Sequence, residues 1–325
     1  MLDIIVPHYR EPWSEGKKLF DMLALQRGVD FSDFRVILVN DGDDGTIPPE
    51  TFREYPFRVD TMTIPHGGVS VARNKGLDAA DAEWVMFCDF DDAFTSVYAL
   101  RSIMDVLDTE DYDMLWCPFY EELSGSQNRV IKDDFNLIFV HGKVYRRSFL
   151  NRYGIRFEPE LRFSEDAAFN SWVSMDIDQK RIGRLKNELV PYVWTFRPGS
   201  ITTDRKNVIS NGIGLYHRQL YVAQKYLEHG NRQAAHDLYV RAACDAYVML
   251  YRKDVRMERD KWDTFLVEVK AFAQQHRQDL QTVSLYLIRL AYASSLRELG
   301  VKPELLPREL PVMNFILAVS GEESV

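Results

Sequence analysis

The chain has 325 residues, 46% hydrophobic and 27% charged, with a formal net charge of -9. That is ordinary globular composition, with length for one large domain and an appendage or for two domains. The acidic balance argues against a whole-surface nucleic-acid binder while leaving room for a local basic groove.

Cys88, Cys117 and Cys244 are far apart, lack metal-ligand spacing and read as small buried residues of a reducing compartment. The N-terminus starts in a strand-like run without a basic n-region, and no apolar stretch reaches the roughly 18–20 residues of a membrane span. A cytoplasmic protein is expected.

Leu2–Pro7 reads as a first strand, followed by a helix over about Gly16–Arg27. Phe34–Val39 is a second apolar strand, ending in the turn signal Asn40-Asp41-Gly42-Asp43-Asp44-Gly45. Val59–Ile64 is a third, and His66-Gly67-Gly68 leads into a helix over Val69–Ala80. Trp84–Cys88 is a fourth strand, then come a helix over Ser96–Leu107 and a strand over Met114–Phe119. This alternation predicts a mostly parallel sheet with helices on both faces. In the middle, Arg129–Lys132 and Leu137–Val140 read as strands, Val144–Tyr153 and Glu165–Met175 as helices, and Val190–Phe196 as a strand. After about Thr203 proline vanishes until Pro303, and helical periodicity runs through Leu215–His229, Gln233–Tyr251, Lys261–His276 and Thr282–Leu299. The expected division is an α/β domain over 1–203 and an all-α domain over 204–325, the latter serving acceptor binding or oligomerisation.

The apolar run Trp84–Cys88 ends in Asp89-Phe90-Asp91-Asp92. A buried parallel strand ends where open α/β sheets bind ligands. Asp89 and Asp91 alternate, so on an extended segment they share a side and Asp92 points away. Crowded carboxylates need a cation, or one must take a proton. A divalent cation that also holds a diphosphate meets that need; a solvated acidic loop is the plainer account. Pro7-His8-Tyr9 lies where a nucleotide base would stack. Asp41 is placed to accept from a base imide or a ribose hydroxyl, or merely to close its own turn. Gly67-Gly68 opens a helix whose first N–H groups favour phosphate. Arg73 and Asn74, one turn on, suit a phosphate and a ribose or the metal-site backbone; the alternative is a capped helix with a solvated arginine. Glu165-Asp166 opens a helix, where the dipole favours acids and where Asp166 would serve as a general base for an acceptor hydroxyl. Arg197-Pro198-Gly199-Ser200-Ile201-Thr202 offers a cation and hydroxyls over a diphosphate, or is a linker.

These pieces, with Gly142-Lys143-Val144-Tyr145-Arg146-Arg147 between them, occur in the order seen in family 2 glycosyltransferases, which the chain resembles over about residues 1–203. The resemblance implies the GT-A nucleotide-sugar fold, a Rossmann-like mixed and mostly parallel sheet, and inversion at the anomeric carbon. It implies Asp41 at the base, Arg73 near the nucleotide, and Asp89 and Asp91 in the metal and diphosphate motif with Mn2+ or Mg2+. It makes Asp166 the catalytic base. The expected nucleotide-sugar site comprises Pro7, Tyr9, Asp41, Arg73, Asn74, Asp89, Phe90, Arg197 and Ser200. Phe90 replaces a frequent small residue and is expected to reshape the donor sugar pocket. Asn40 replaces a frequent Asp, and His141 stands where an aromatic or apolar residue is common and is given no role.

The expected function is metal-dependent transfer from a nucleoside diphosphate sugar to an acceptor hydroxyl of a surface glycan or other polymer. A uridine donor is favoured because a carboxylate at Asp41 accepts an imide N–H. Alternatives are a glycosyltransferase acting on hydroxymethylated DNA bases, a nucleotidyltransferase, and a non-catalytic nucleotide-sugar or glycan binding module. Lys143–Arg162, with six cations, would face a polyanion or be a solvated surface, and the helical part is a candidate homodimer surface.

Overall fold

The computed structural model describes residues 1–123, 129–132, 138–186, 190–195, 207–307 and 311–321. It divides into two compact units, Met1–Pro198 and Gly199–Val325. In the first, β1 (Leu2–His8), α1 (Trp13–Ala24), β2 (Phe34–Asp41), β3 (Arg58–Ile64), α2 (Val69–Ala79) and β4 (Trp84–Phe87) form the alternating half. They are followed by β5 (Ala93–Phe94), α3 (Ala99–Leu107), β6 (Met114–Trp116), β7 (Phe119–Glu122), β8 (Arg129–Lys132), β9 (Lys143–Arg146), α4 (Arg147–Arg152), α5 (Glu165–Asp176), β10 (Ile182–Arg184) and β11 (Tyr192–Trp194).

The main sheet has the order β10-β6-β9-β4-β1-β2-β3. Strands β4, β1, β2 and β3 are parallel, and β9 runs antiparallel between β4 and β6. All of β2 and nearly all of β1 are buried, as a central parallel strand covered on both faces requires. Their side chains divide between two cores, Ile4, Val6, Val36 and Leu38 on one face and Ile5, Ile37 and Val39 on the other. The order reverses at β1, where β2 lies on one side and β4 on the other. This switch point opens a crevice beyond the strand C-termini. At the opposite end, buried Asp3 is paired with Arg35, which also reaches Asp60 and Asp81.

Three sequence expectations need correction. Lys143–Arg146 is a strand rather than the start of a helix, and only Arg147–Arg152 is helical. Val144 and Tyr145 alternate across the middle of the sheet, one in each core, which is a period of two. The run from Met114 also breaks after Trp116. Pro118 has no N–H with which to continue a ladder, and Phe119 starts a second sheet of order β5-β11-β7-β8. Ile138–Val140 is not strand, and Leu137 lies outside the described residues.

The second unit is helical: α6 (Val208–Glu228), α7 (Arg232–Tyr251), α8 (Arg259–Gln275), α9 (Arg277–Gln281), α10 (Leu285–Glu298) and α11 (Val312–Ser320). Helix α7 is its centre, with Ala242–Leu250 buried without interruption. Gly212 of α6 permits close approach, since a Cβ there would lie 2.1 Å from the Met249 sulfur. Tyr216, Tyr239 and Tyr247 are core residues. Among the described residues no helix is long and apolar enough to cross a membrane.

Candidate functional site

The segment after β4 is a turn, not an extension. Phe90 and Asp91 form its corner, and the Asp92 N–H donates to the Asp89 carbonyl at 3.2 Å. The alternation argument for Asp89 and Asp91 therefore fails locally, and Asp92 comes round beside Asp89 instead. Asp92 is fully buried. The Tyr192 hydroxyl donates to its Oδ2 at 2.5 Å and the Thr195 N–H to its Oδ1 at 2.8 Å. Burial, then the charges of Asp89 and Asp91, hold its carboxyl well above the ordinary range.

The same turn sends Phe90 into the core, correcting its place in the donor pocket. Its ring packs 4.6 Å from His8 and 6.2 Å from Trp13. A Cβ on Gly16 of α1 would lie 2.2 Å from the tip of that ring. Gly16→Ala should cost about 1–3 kcal/mol by overpacking, and Phe90→Leu in the same chain should recover part of it. Urea unfolding of wild type, Gly16→Ala and the double variant checks this. Unchanged stability with altered donor affinity would return Phe90 to the pocket.

One buried guanidinium organises the rest. Arg73, on the first turns of α2, is 3% exposed, so the solvated reading is wrong. Its Nη2 donates to Asp89 Oδ1 at 2.9 Å, and its Nη1 to Glu165 Oε1 at 2.9 Å and Asp166 Oδ1 at 2.5 Å. Burial opposes its charge, but Asp166, Asp89 and Glu165 together raise its pKa. Asp166 takes a further N–H from Val140 at 3.2 Å. Both acids lie at the N-terminus of α5, where the dipole favours them. Ser164, just before, is held at φ 63, a left-handed conformation that costs energy in a non-glycine residue. Burial, then the Asp166 charge, pushes Glu165 up to about 7.

At the ends of β1 and β2 the contacts are mostly internal. Asp41 Oδ1 and Oδ2 accept the Gly67 and Gly68 N–H groups at 2.7 and 2.9 Å, and Oδ2 also meets His66 Nδ1 at 2.9 Å. The two N–H groups expected at a phosphate thus face the chain's own carboxylate, of which Oδ1, with one partner, keeps a free lone-pair direction while Oδ2 already meets two. Exposed Tyr9 stacks on His66 with ring centroids 4.2 Å apart, leaving an aromatic surface beside Pro7. Asn74, expected at a ribose, instead bonds the Phe157 backbone twice, at 2.8 and 2.9 Å. Asn40 joins His8 at 3.0 Å and the Ile47 N–H at 3.2 Å, a structural role. Arg197 and Ser200 lie outside the described residues.

Two further residues at this site, Lys143 and His141, are buried. Lys143 is fully buried, donates to the Phe139 carbonyl, and is pulled down to about 8 by burial against the nearby charge of Asp166. His141 lies between the acids, its Nε2 3.7 Å from Asp89 and its Nδ1 3.9 Å from Asp92. Burial lowers its pKa, leaving a neutral ring. The buried Lys143, the Arg146 bonds to Glu83 and Tyr112, the Arg147 bonds to the Asp81 and Ala82 carbonyls and the Arg156 bonds to Ile155 and Asn151 occupy most of the basic segment internally. That leaves little of it for a polyanion.

The sequence matches the family described as Glycosyl transferase family 2 over residues 3–182, more than half of the chain. The chain belongs to that family. It is 29% identical over 226 residues to a protein of Bacillus subtilis described as uncharacterized glycosyltransferase EpsJ, covering 62% of this chain and 63% of that one. It is 31% identical over 206 residues to the minor teichoic acid biosynthesis protein GgaA of the same organism, covering 56% of this chain and 45% of that one. The chain thus spans less than two thirds of the length of these relatives. Among solved structures, S. aureus TarS 1-349 in complex with UDP superposes with a TM-score of 0.61 at 17% identity, covering 97% of this chain and 90% of that one. The complex of the same protein with UDP-GlcNAc gives 0.62 at 18% identity, over 92% and 90%. At that identity the likeness is one of fold, and the fold is GT-A.

Proposed function

We propose that the chain is an inverting glycosyltransferase that moves a sugar from a uridine diphosphate sugar to a hydroxyl of a glycan or related polymer, with Mn2+ or Mg2+. One observation carries this reading: Arg73 bonds both Asp89 and the Glu165–Asp166 pair. The acidic motif at the donor end and the candidate base are then two sides of a single buried cation. A nucleotidyltransferase or a binding module has no need of that second pair. Asp89 and Asp91 crowd around Asp92, whose carboxyl is held up by burial and then by their charges, and this crowding fits a divalent cation. Asp89 and Asp91 would hold it, and when bound it neutralises the leaving diphosphate. Asp166 takes the proton of the acceptor hydroxyl as that oxygen attacks the anomeric carbon from the face opposite the diphosphate. Arg73 fixes the Asp166 carboxylate during attack and stands beside the charge that develops on departure. Tyr9, Pro7 and Asp41 face the base, and Arg197 and Ser200 belong to the loop proposed to cover the diphosphate.

TarS was crystallised with UDP and UDP-GlcNAc, and GgaA is named for teichoic acid biosynthesis, which supports a uridine donor and a polymer acceptor. The internally bonded arginines of the middle segment disfavour a DNA acceptor. The helical unit is proposed to contact the acceptor or a second copy. Thermal shift with UDP and GDP, each with and without Mn2+, tests the donor reading. UDP with Mn2+ should give the largest stabilisation, and Asp91→Asn should remove the metal-dependent part. Stabilisation by GDP alone, or full metal-dependent binding in the Asn variant, would overturn it.

A further inference from the structure

His141 is a buried side chain for which the proposed reaction has no task. It is 4% exposed, and its ring is clamped by Tyr192, stacked at 5.6 Å and 16°, and by Phe139 at 6.0 Å and 25°. Those contacts are apolar. Among the described residues Nδ1 has no hydrogen-bond partner. A buried ring nitrogen left unpaired is costly, so its persistence calls for a ligand.

The backbone aims the ring. Gly142 holds φ 67, and a Cβ there would lie 2.4 Å from the Cys117 carbonyl. The Cys117 N–H donates to the Gly142 carbonyl at 2.6 Å, and Lys143 Nζ donates to the Phe139 carbonyl. Positions 139–143 are therefore fixed to β6 and to themselves. One ligand atom each from His141, Asp89 and Asp92 lies within 4.8 Å of the others. Ligands on opposite sides of an ion at about 2.1 Å stand about 4.2 Å apart, so a small side-chain rotation closes the set. Tyr192 and Thr195 hold Asp92 in place for it, as partners of ligating carboxylates do.

The geometry points to His141, Asp89 and Asp92 as the set that holds one divalent cation in the donor-free chain, Asp91 adding its carboxylate once the donor is bound, with the imidazole selecting a first-row transition metal over Mg2+. Magnesium takes oxygen ligands and dehydrates reluctantly, whereas imidazole suits transition metals. The inference rests on the metal-dependent reading above for the use of the ion, but the binding set is testable without donor or acceptor.

Isothermal titration and Mn2+ electron paramagnetic resonance are run on the full chain with MnCl2 or MgCl2 and no nucleotide. The variants are His141→Phe, which keeps the stacked ring, His141→Asn, which serves if the first melts early, and Asp91→Asn. Wild type should bind Mn2+ more tightly than Mg2+. His141→Phe should lose about tenfold or more in Mn2+ affinity with little change for Mg2+. Wild-type Mn2+ affinity in a folded His141 variant overturns the inference. So does loss of donor-free Mn2+ binding in Asp91→Asn with none in His141→Phe, an outcome that leaves the metal-dependent transferase standing. Undiminished sugar transfer in chelator, a separate assay, sinks that transferase reading instead.

Discussion

Asp166→Asn should lower sugar transfer by about 10²–10⁴ while donor affinity and melting temperature stay close to wild type. The substitution keeps the shape of the side chain at the second residue of α5 and removes the proton acceptor. The neighbouring bonds soften the structural consequences. Asp166 shares Arg73 with Asp89 and Glu165, so the guanidinium keeps two carboxylates. An amide oxygen still accepts the Val140 N–H, which here reaches Oδ2. Removing one negative charge also relieves Glu165, whose carboxyl is held at about 7 by burial and then by Asp166. The variant therefore trades one charge-assisted bond for less repulsion. Single-turnover transfer, donor titration and thermal melts on one preparation separate the effects. Near-normal transfer would move the base to Glu165, whose pKa near neutrality suits proton transfer. A collapse in stability would make Asp166 a structural acid.

The sheet and its ligand-binding end were legible because they follow from local rules. Apolar runs too short for helices, each ending in Asn-Asp-Gly or Asp-Phe-Asp-Asp, mark parallel strands and their C-terminal loops. The ordered motifs then place Asp41, Arg73, Asp89 and Asp166 at the same end of the sheet. What was not legible depends on contacts distant in sequence. Arg73 reads as a phosphate-facing or solvated helix residue until α5 brings Glu165 and Asp166 to it from 92 and 93 positions away. Phe90 reads as a pocket residue because the turn at Phe90–Asp91 carries no glycine or proline to announce it, and its reason lies in Gly16. His141 has no local pattern at all: its two acids come from the turn after β4 and its clamping ring from β11. Val144–Arg146 was misassigned because a four-residue strand between two others leaves too few positions for a period of two to stand out.

Arg73→Met should destabilise the chain by about 3–5 kcal/mol near neutral pH, the cost of breaking a buried ion cluster by removing one sign of charge. Methionine fills much of the arginine stem, so lost packing is the smaller part. What remains is Asp89, Glu165 and Asp166 around a side chain without charge, the two α5 acids only 14% exposed. Their folded pKa values must then rise above the unfolded values of about 3.9 and 4.3. A carboxyl with a raised folded pKa binds more protons folded than unfolded. Its stabilising contribution is complete below the unfolded pKa and is lost as pH rises through the folded one. The penalty for Arg73→Met should accordingly be small near about pH 4 and full near about pH 8. Wild type carries the same slope through Glu165, raised from 4.5 to about 7, and through other raised carboxyls such as Asp92, so Glu165→Gln should reduce it without abolishing it. Urea unfolding at the two pH values measures both effects. A penalty independent of pH would mean that Arg73 holds the site by packing against Phe157, whose ring lies 5.2 Å from the guanidinium carbon, and not by its charge. Rescue by acid, with transfer still absent at every pH, would place Arg73 in both the fold and the reaction, because protonated carboxyls restore the structure but leave no base.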